Sequence, residues 1–98
     1  MKGELLATMN PFSIDKNPTD ILKELAQRTR TLRKEYKMSQ SELAQRAKVS
    51  LGSYKRFESS GHISLDSFLK IAFILGKLND FETIFQSNKS KDIEKLFK

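Results

Sequence analysis

An all-α domain of five short helices is what this sequence predicts, and three observations predict it. Ser39, Ser50 and Ser64 each stand directly before a stretch whose apolar residues recur three or four positions apart, the arrangement of a cap and its helix. Asn17-Pro18-Thr19-Asp20 is a further helix entry, with proline in the first turn and an acid near the positive end of the helix dipole. No glycine-rich loop, internal repeat or defensible strand interrupts that series. The predicted layout is a short arm over residues 1–16, a helical domain over residues 17–86 and a tail over residues 87–98.

Residues 1–16 show no sustained period and contain Asn10-Pro11, which predicts an arm without regular structure, and Met9 offers a second start. The first helix is expected over residues 17–36, with Leu22, Leu25, Thr29, Leu32 and Tyr36 on one face. The second is expected over residues 40–47. Its signature is Ser39 followed three positions later by Glu42, a Ser-x-x-Glu capping box, with Leu43 and Ala47 on its apolar side. The third is expected over residues 51–57, capped by Ser50, with Tyr54 and Phe57 facing inward. Eleven positions separate the caps Ser39 and Ser50, so no loop fits between these two helices. With Val49 in the turn, they must cross steeply around a shared core.

Ser59-Ser60-Gly61-His62 predicts a turn, with Gly61 in a left-handed conformation. After Ser64, the residues Leu65, Phe68, Leu69, Ala72, Phe73 and Leu75 leave the fourth helix almost no polar face before Gly76, which predicts a central position. Asn79 or Asp80 is the expected cap of a fifth helix. Its Phe81, Ile84 and Phe85 exceed what so small a domain needs for itself, which points to a homodimer seam. The tail opens with the polar run QSNKSK from Gln86 and closes with Ile93, Leu96 and Phe97 on one side of a short amphipathic peptide. Such a peptide either docks a partner or covers an exposed patch on the fourth or fifth helix.

Composition narrows the function classes. Ninety-eight residues suffice for one domain with one modest core. No stretch approaches membrane-spanning length, the N-terminal residues are too weak for a secretory signal, and no cysteine is present. The expected location is therefore the cytoplasm, of a bacterium, with no membrane partner. One histidine, His62, stands alone in the predicted turn, and the carboxylates are scattered, so no catalytic residue, metal or cofactor site is expected. The net charge of +6 is concentrated: from Leu22 to Arg56 ten Lys or Arg face only Glu24, Glu35 and Glu42. A basic segment of that kind suits a polyanion, and counterion release from double-stranded DNA would supply salt-dependent affinity.

The stretch MSQSELAQRAKVSLGSYKRFE, from Met38 to Glu58, resembles the helix-turn-helix of the lambda repressor and Cro class, the Xre family. The likeness rests on Ser39-Gln40-x-Glu42-Leu43-Ala44, Val49-Ser50, Tyr54 in a slot usually held by Ile, and Phe57-Glu58 at the exit, and it extends over residues 25–85. It implies a lambda-repressor-like fold that binds a roughly palindromic operator as a dimer, with the third helix in the major groove. It also implies a partly buried ion pair between Arg33 and Glu58. Gln40 takes the place of a glutamine that bonds a phosphate at the start of the second helix. Leu51, Gly52 and Arg56 take the groove-facing places. Arg56 can bond O6 and N7 of one guanine or hold a phosphate, Leu51 can touch a thymine methyl, and Gly52 permits close approach. Ser50, Ser53 and Lys55 are phosphate or base-edge candidates, with Ser59 and Lys48 behind them.

Two departures from the pattern are visible. Lys48 stands where the family commonly has glycine, which implies positive φ at a cost on the order of 1 kcal/mol. Gly52 costs the third helix roughly 1 kcal/mol against alanine. A narrower resemblance runs through FESSGHISL from Phe57 and LNDFE from Leu78. It is similar to the small antitoxins of the HipB kind, encoded beside HipA-type kinase toxins, which implies a second expectation: restraint of a kinase-type toxin protein together with autoregulation.

Overall fold

A computed structural model of the chain describes residues 16–87. The arm expected over residues 1–16 and the tail expected over residues 87–98 therefore lie, except for their inner ends, outside the described residues. Among the described residues four α-helices follow one another: α1 (Pro18–Glu35), α2 (Gln40–Ala47), α3 (Leu51–Ser60) and α4 (Leu65–Ile74). A single 3₁₀ turn, Leu78–Phe81, comes after them.

The starts of the helices form as their side chains dictate. Asn17 accepts from the Asp20 amide at 2.9 Å and Asp20 accepts from the Asn17 amide at 3.2 Å, a complete reciprocal box. Ser39, Ser50 and Ser64 accept from the amides three residues ahead at 3.0–3.1 Å. The expected box at Ser39 is only half made, because the Glu42 carboxylate accepts from Arg46 Nη2 at 2.7 Å instead.

The helix ends share one device. After α1, α2 and α4 a residue in the left-handed region turns the chain, and the next amide reaches back five residues: Met38 to Arg33, Val49 to Ala44, Lys77 to Ala72. Glycine occupies the turning position only at Gly76. Lys37 (φ 57°) and Lys48 (φ 59°) fill the other two, so the strain expected at Lys48 is present and a second such lysine accompanies it. At the end of α3, Gly61 (φ 87°) is required twice over: a Cβ there would lie 2.8 Å from the Leu22 backbone. The helix itself runs three residues past the expected end, taking in Ser59 and Ser60 from the predicted turn.

α3 packs on α1 and α2, and α2 also packs on α4. Tyr54, Phe57, Leu43 and Ile71 are the largest fully buried side chains, with Ala26, Met38, Ala44, Ala47, Val49 and Leu75 around them. Thr29 is buried too, and its hydroxyl is satisfied by donating to the Leu25 carbonyl at 2.7 Å. Aromatic contacts continue outward: Phe57 lies 5.4 Å from Phe68, and Phe68 meets Phe81 edge to face at 5.6 Å.

Two expectations are corrected here. There is no fifth α-helix among the described residues. Beyond Gly76 the backbone bonds run from residue i+3 to i, as in Asp80 to Lys77, Glu82 to Asn79 and Gln86 to Thr83, and Phe85 (φ 62°) is left-handed. A few residues with no side-chain cap, followed by the polar run at Gln86, offer too little to nucleate an α-helical turn. The fourth helix is not enclosed either: Ile71, Ala72 and Leu75 are buried, whereas Leu65 is 67 % and Phe73 66 % exposed. Apolar residues all round a helix do not bury it when only one side has a neighbour. No helix of the described residues is long and apolar enough to cross a membrane.

Candidate nucleic-acid interface

The burial pattern of α3 divides the helix into two sides. Tyr54 and Phe57 point into the core. At about 100° per residue, Leu51, Gly52, Lys55, Arg56 and Ser59 fall within an arc of roughly 140° on the opposite side, and all five are exposed. Five of the eight expected contact residues thus form one continuous face. Gly52 has open space around its Cα, as close approach of a ligand backbone requires.

The other three are placed at the edges. Ser50 and Ser53 are tied together: the Ser50 hydroxyl accepts from the Ser53 amide and donates to the Ser53 hydroxyl at 2.8 Å, which leaves the Ser53 proton able to donate outward. Gln40 begins α2 and is half-buried, with one amide N–H donated to Glu58 Oε1 at 2.9 Å. The second N–H of that amide has no partner among the described residues and is the one a phosphate oxygen can take. Ser59, although on the exposed face, donates its hydroxyl proton to the Arg56 carbonyl at 3.1 Å, so its oxygen is left to accept rather than donate.

Beneath this face lies the ion pair expected between Arg33 and Glu58, and it is made in full. Arg33 donates Nε to Glu58 Oε2 at 2.7 Å and Nη2 to Oε1 at 3.2 Å, and its Nη1 reaches the Met38 carbonyl at 2.8 Å. The Tyr54 hydroxyl also donates to Oε2. Side chains of the pair are only 9 % and 6 % exposed. Burial pushes the Glu58 carboxyl upward, but the bonds from Arg33, Tyr54 and Gln40 outweigh it and hold the acid below the usual carboxylate range. The Glu58 bond in turn raises the Arg33 guanidinium, and burial together with the Glu58 carboxylate raises the Tyr54 phenol. The network orients Gln40 and fixes α1 and α2 against α3, the element bearing Lys55 and Arg56.

Two open hollows flank the exposed face. One, about 510 Å³, is lined by Arg30, Ser39, Gln40, Lys55 and Ser59 above the Arg33–Glu58 pair. The other, about 340 Å³, is lined by Ser53, Arg56, His62 and Ser64. Lys55, Arg56 and Arg30 make no ion pair among the described residues, whereas Arg28, Arg46 and Lys70 each pair with an acid on their own helix. Free cations beside hydroxyl and amide donors suit phosphate oxygens. Sequence reasoning missed Arg30 and placed His62 only in a solvated turn. The signal for Arg30 was its position three residues before Arg33, the same face of α1 one turn earlier.

Comparison with known proteins gives one match. A helix-turn-helix family model fits residues 30–78, half of the chain, spanning the last third of α1 through α4. No curated protein and no solved structure matches.

Proposed function

The chain belongs to the helix-turn-helix family of the Cro and C1 type, a DNA-binding family, and from that premise we propose that it is a repressor that binds a palindromic operator as a dimer. The observation that carries this reading is the exposed face of α3. Leu51, Gly52, Lys55 and Arg56 stand free on a helix of major-groove size whose other side is anchored by Tyr54 and Phe57. Arg56 reads a guanine, Gln40, Lys55 and Arg30 hold phosphates on either side, and Gly52 lets the backbone come close.

Dimerisation is supported by Phe85 (100 % exposed) beyond the 3₁₀ turn, an apolar side chain with no cover among the described residues. Half-site centres would then lie about 34 to 36 Å apart, one DNA turn. Footprinting on the DNA upstream of the protein's own gene tests the reading: two protected half-sites on one face of the duplex are expected. A monomer by sedimentation at micromolar concentration, free and on DNA, would refute the dimer.

Restraint of a kinase-type toxin protein is the second reading, and the outer side of α4 favours it. Leu65 and Phe73 are exposed there, and Arg46, Lys48 and Lys70 border Phe73. An apolar patch rimmed by charge, away from the reading helix, suits a protein partner. Co-purification of the native complex decides this, and a preparation that yields operator-binding protein with no kinase removes the second reading.

A further inference from the structure

α1 and α4 do not close on each other. Between them runs a groove of about 650 Å³ whose walls include Leu25, Leu32, Phe68 and Ile84 and whose floor is formed by Ile71 and Leu75. Ile71 and Leu75 are themselves core residues, so the groove opens directly onto the core of the domain. An apolar opening of that size is larger than a small domain leaves unfilled without cost.

The chain itself leads into that groove. Ile84 lines it, and the described residues end only three positions later, at Ser87. Eleven residues follow, among them Ile93, Leu96 and Phe97 at the i, i+3, i+4 spacing of one helix face. The six steps from Ser87 to Ile93 span up to roughly 20 Å, enough for the chain to reverse over the groove that it has just left. The linker, Asn88-Lys89-Ser90-Lys91-Asp92, is polar and contains no proline or β-branched residue.

We propose that residues 92–97 fold back onto their own domain, with Ile93, Leu96 and Phe97 seated in the groove between α1 and α4. The argument for the chain's own tail over an external partner or a second copy is effective concentration: a short tether holds the tail at the millimolar level, above any free competitor at micromolar concentration. The groove contains no residue of α3, so a seated tail leaves the exposed face of the reading helix open. The inference does not rest on the proposed operator binding. A partner that takes the groove must first displace the tail.

The test is nuclear magnetic resonance on the full chain, with contacts sought from the Phe97 ring to the methyls of Leu25, Leu32 and Ile84. A sample mixing labelled and unlabelled copies separates contacts within one chain from contacts between chains. Contacts within one chain are expected. Their absence overturns the proposal, and contacts found only between chains overturn it in favour of a second copy's tail. Thermal melts of the full-length L96S/F97S double variant give an independent reading: the melting temperature should fall by roughly 5 °C, with operator affinity unchanged within about twofold. An unchanged melting temperature overturns the seated tail whatever the DNA result.

Discussion

The junction of α1, α2 and α3 and the far end of α4 are built on opposite terms. At the junction a single carboxylate, Glu58, accepts four hydrogen bonds, from Arg33 twice, Gln40 and Tyr54, and the groups left over point their donors outward. At the far end Phe73, Ile84 and Phe85 are exposed, and the 3₁₀ turn has no side-chain cap. The difference separates two ways of making a surface. Internal polar satisfaction yields a rigid platform that presents a few chosen cations, whereas unsatisfied apolar area marks where something else must come to rest.

The contrast breaks most visibly at Glu58. Replacing it by alanine strands the Arg33 guanidinium, and the loss of stability should be about 3 to 5 kcal/mol in denaturant unfolding. Because the folded state depresses the Glu58 pKa, its contribution is fully present above the unfolded carboxylate value of about 4.3 and is lost as pH falls through the lowered folded value. Acid titration of stability in the wild type should therefore show a fall below that value that Glu58→Gln lacks. On the platform's outer side, Arg56→Ala should relax base preference at one position per half-site, a change of about 1 to 3 kcal/mol in discrimination. Gln40→Ala should instead weaken all sequences alike. A binding-site selection on the Arg56 variant that returned the wild-type motif would overturn the assignment.

Gly52→Ala sharpens the comparison by separating stability from binding. Open space surrounds the position, so alanine should raise stability by about 1 kcal/mol. If the glycine serves close approach, operator affinity falls in the same variant, and paired melts and titrations would show the two moving in opposite directions. The smallest effect belongs to the apolar end: Phe73→Ser should change stability by no more than about 0.5 kcal/mol and leave operator binding alone. A loss of several kcal/mol would mean that Phe73 is not on a free surface.

What the sequence made legible follows the same division. The N-caps at Ser39, Ser50 and Ser64 were readable because each satisfies an amide three residues on, a strictly local interaction. The buried side of α3, the left-handed Lys48 and the Arg33–Glu58 pair were likewise predicted, the last two through family resemblance rather than spacing. What failed was non-local. Nothing in Leu65 or Phe73 says whether a neighbour will cover them, and Phe81, Ile84 and Phe85 have helical spacing without the length or cap to hold a helix. Lys37 escaped notice because no glycine or asparagine signals its left-handed turn. The internal bonds that occupy Gln40 and Ser59 could be read only once their partners were in place.

Tyr54 carries one consequence for alkaline solution. Its ring is fully buried and its hydroxyl donates to a carboxylate, so ionising it in the fold would set two negative charges side by side without water. The unfolded chain has no such obstacle and releases that proton near pH 10. Stability must therefore decline as pH rises past that point, because the unfolded chain releases this proton more readily than the fold does. The chain has two tyrosines and no tryptophan, so its near-ultraviolet absorbance is almost wholly tyrosine. A base titration would register the opening of the Arg33–Glu58 corner optically, without any label.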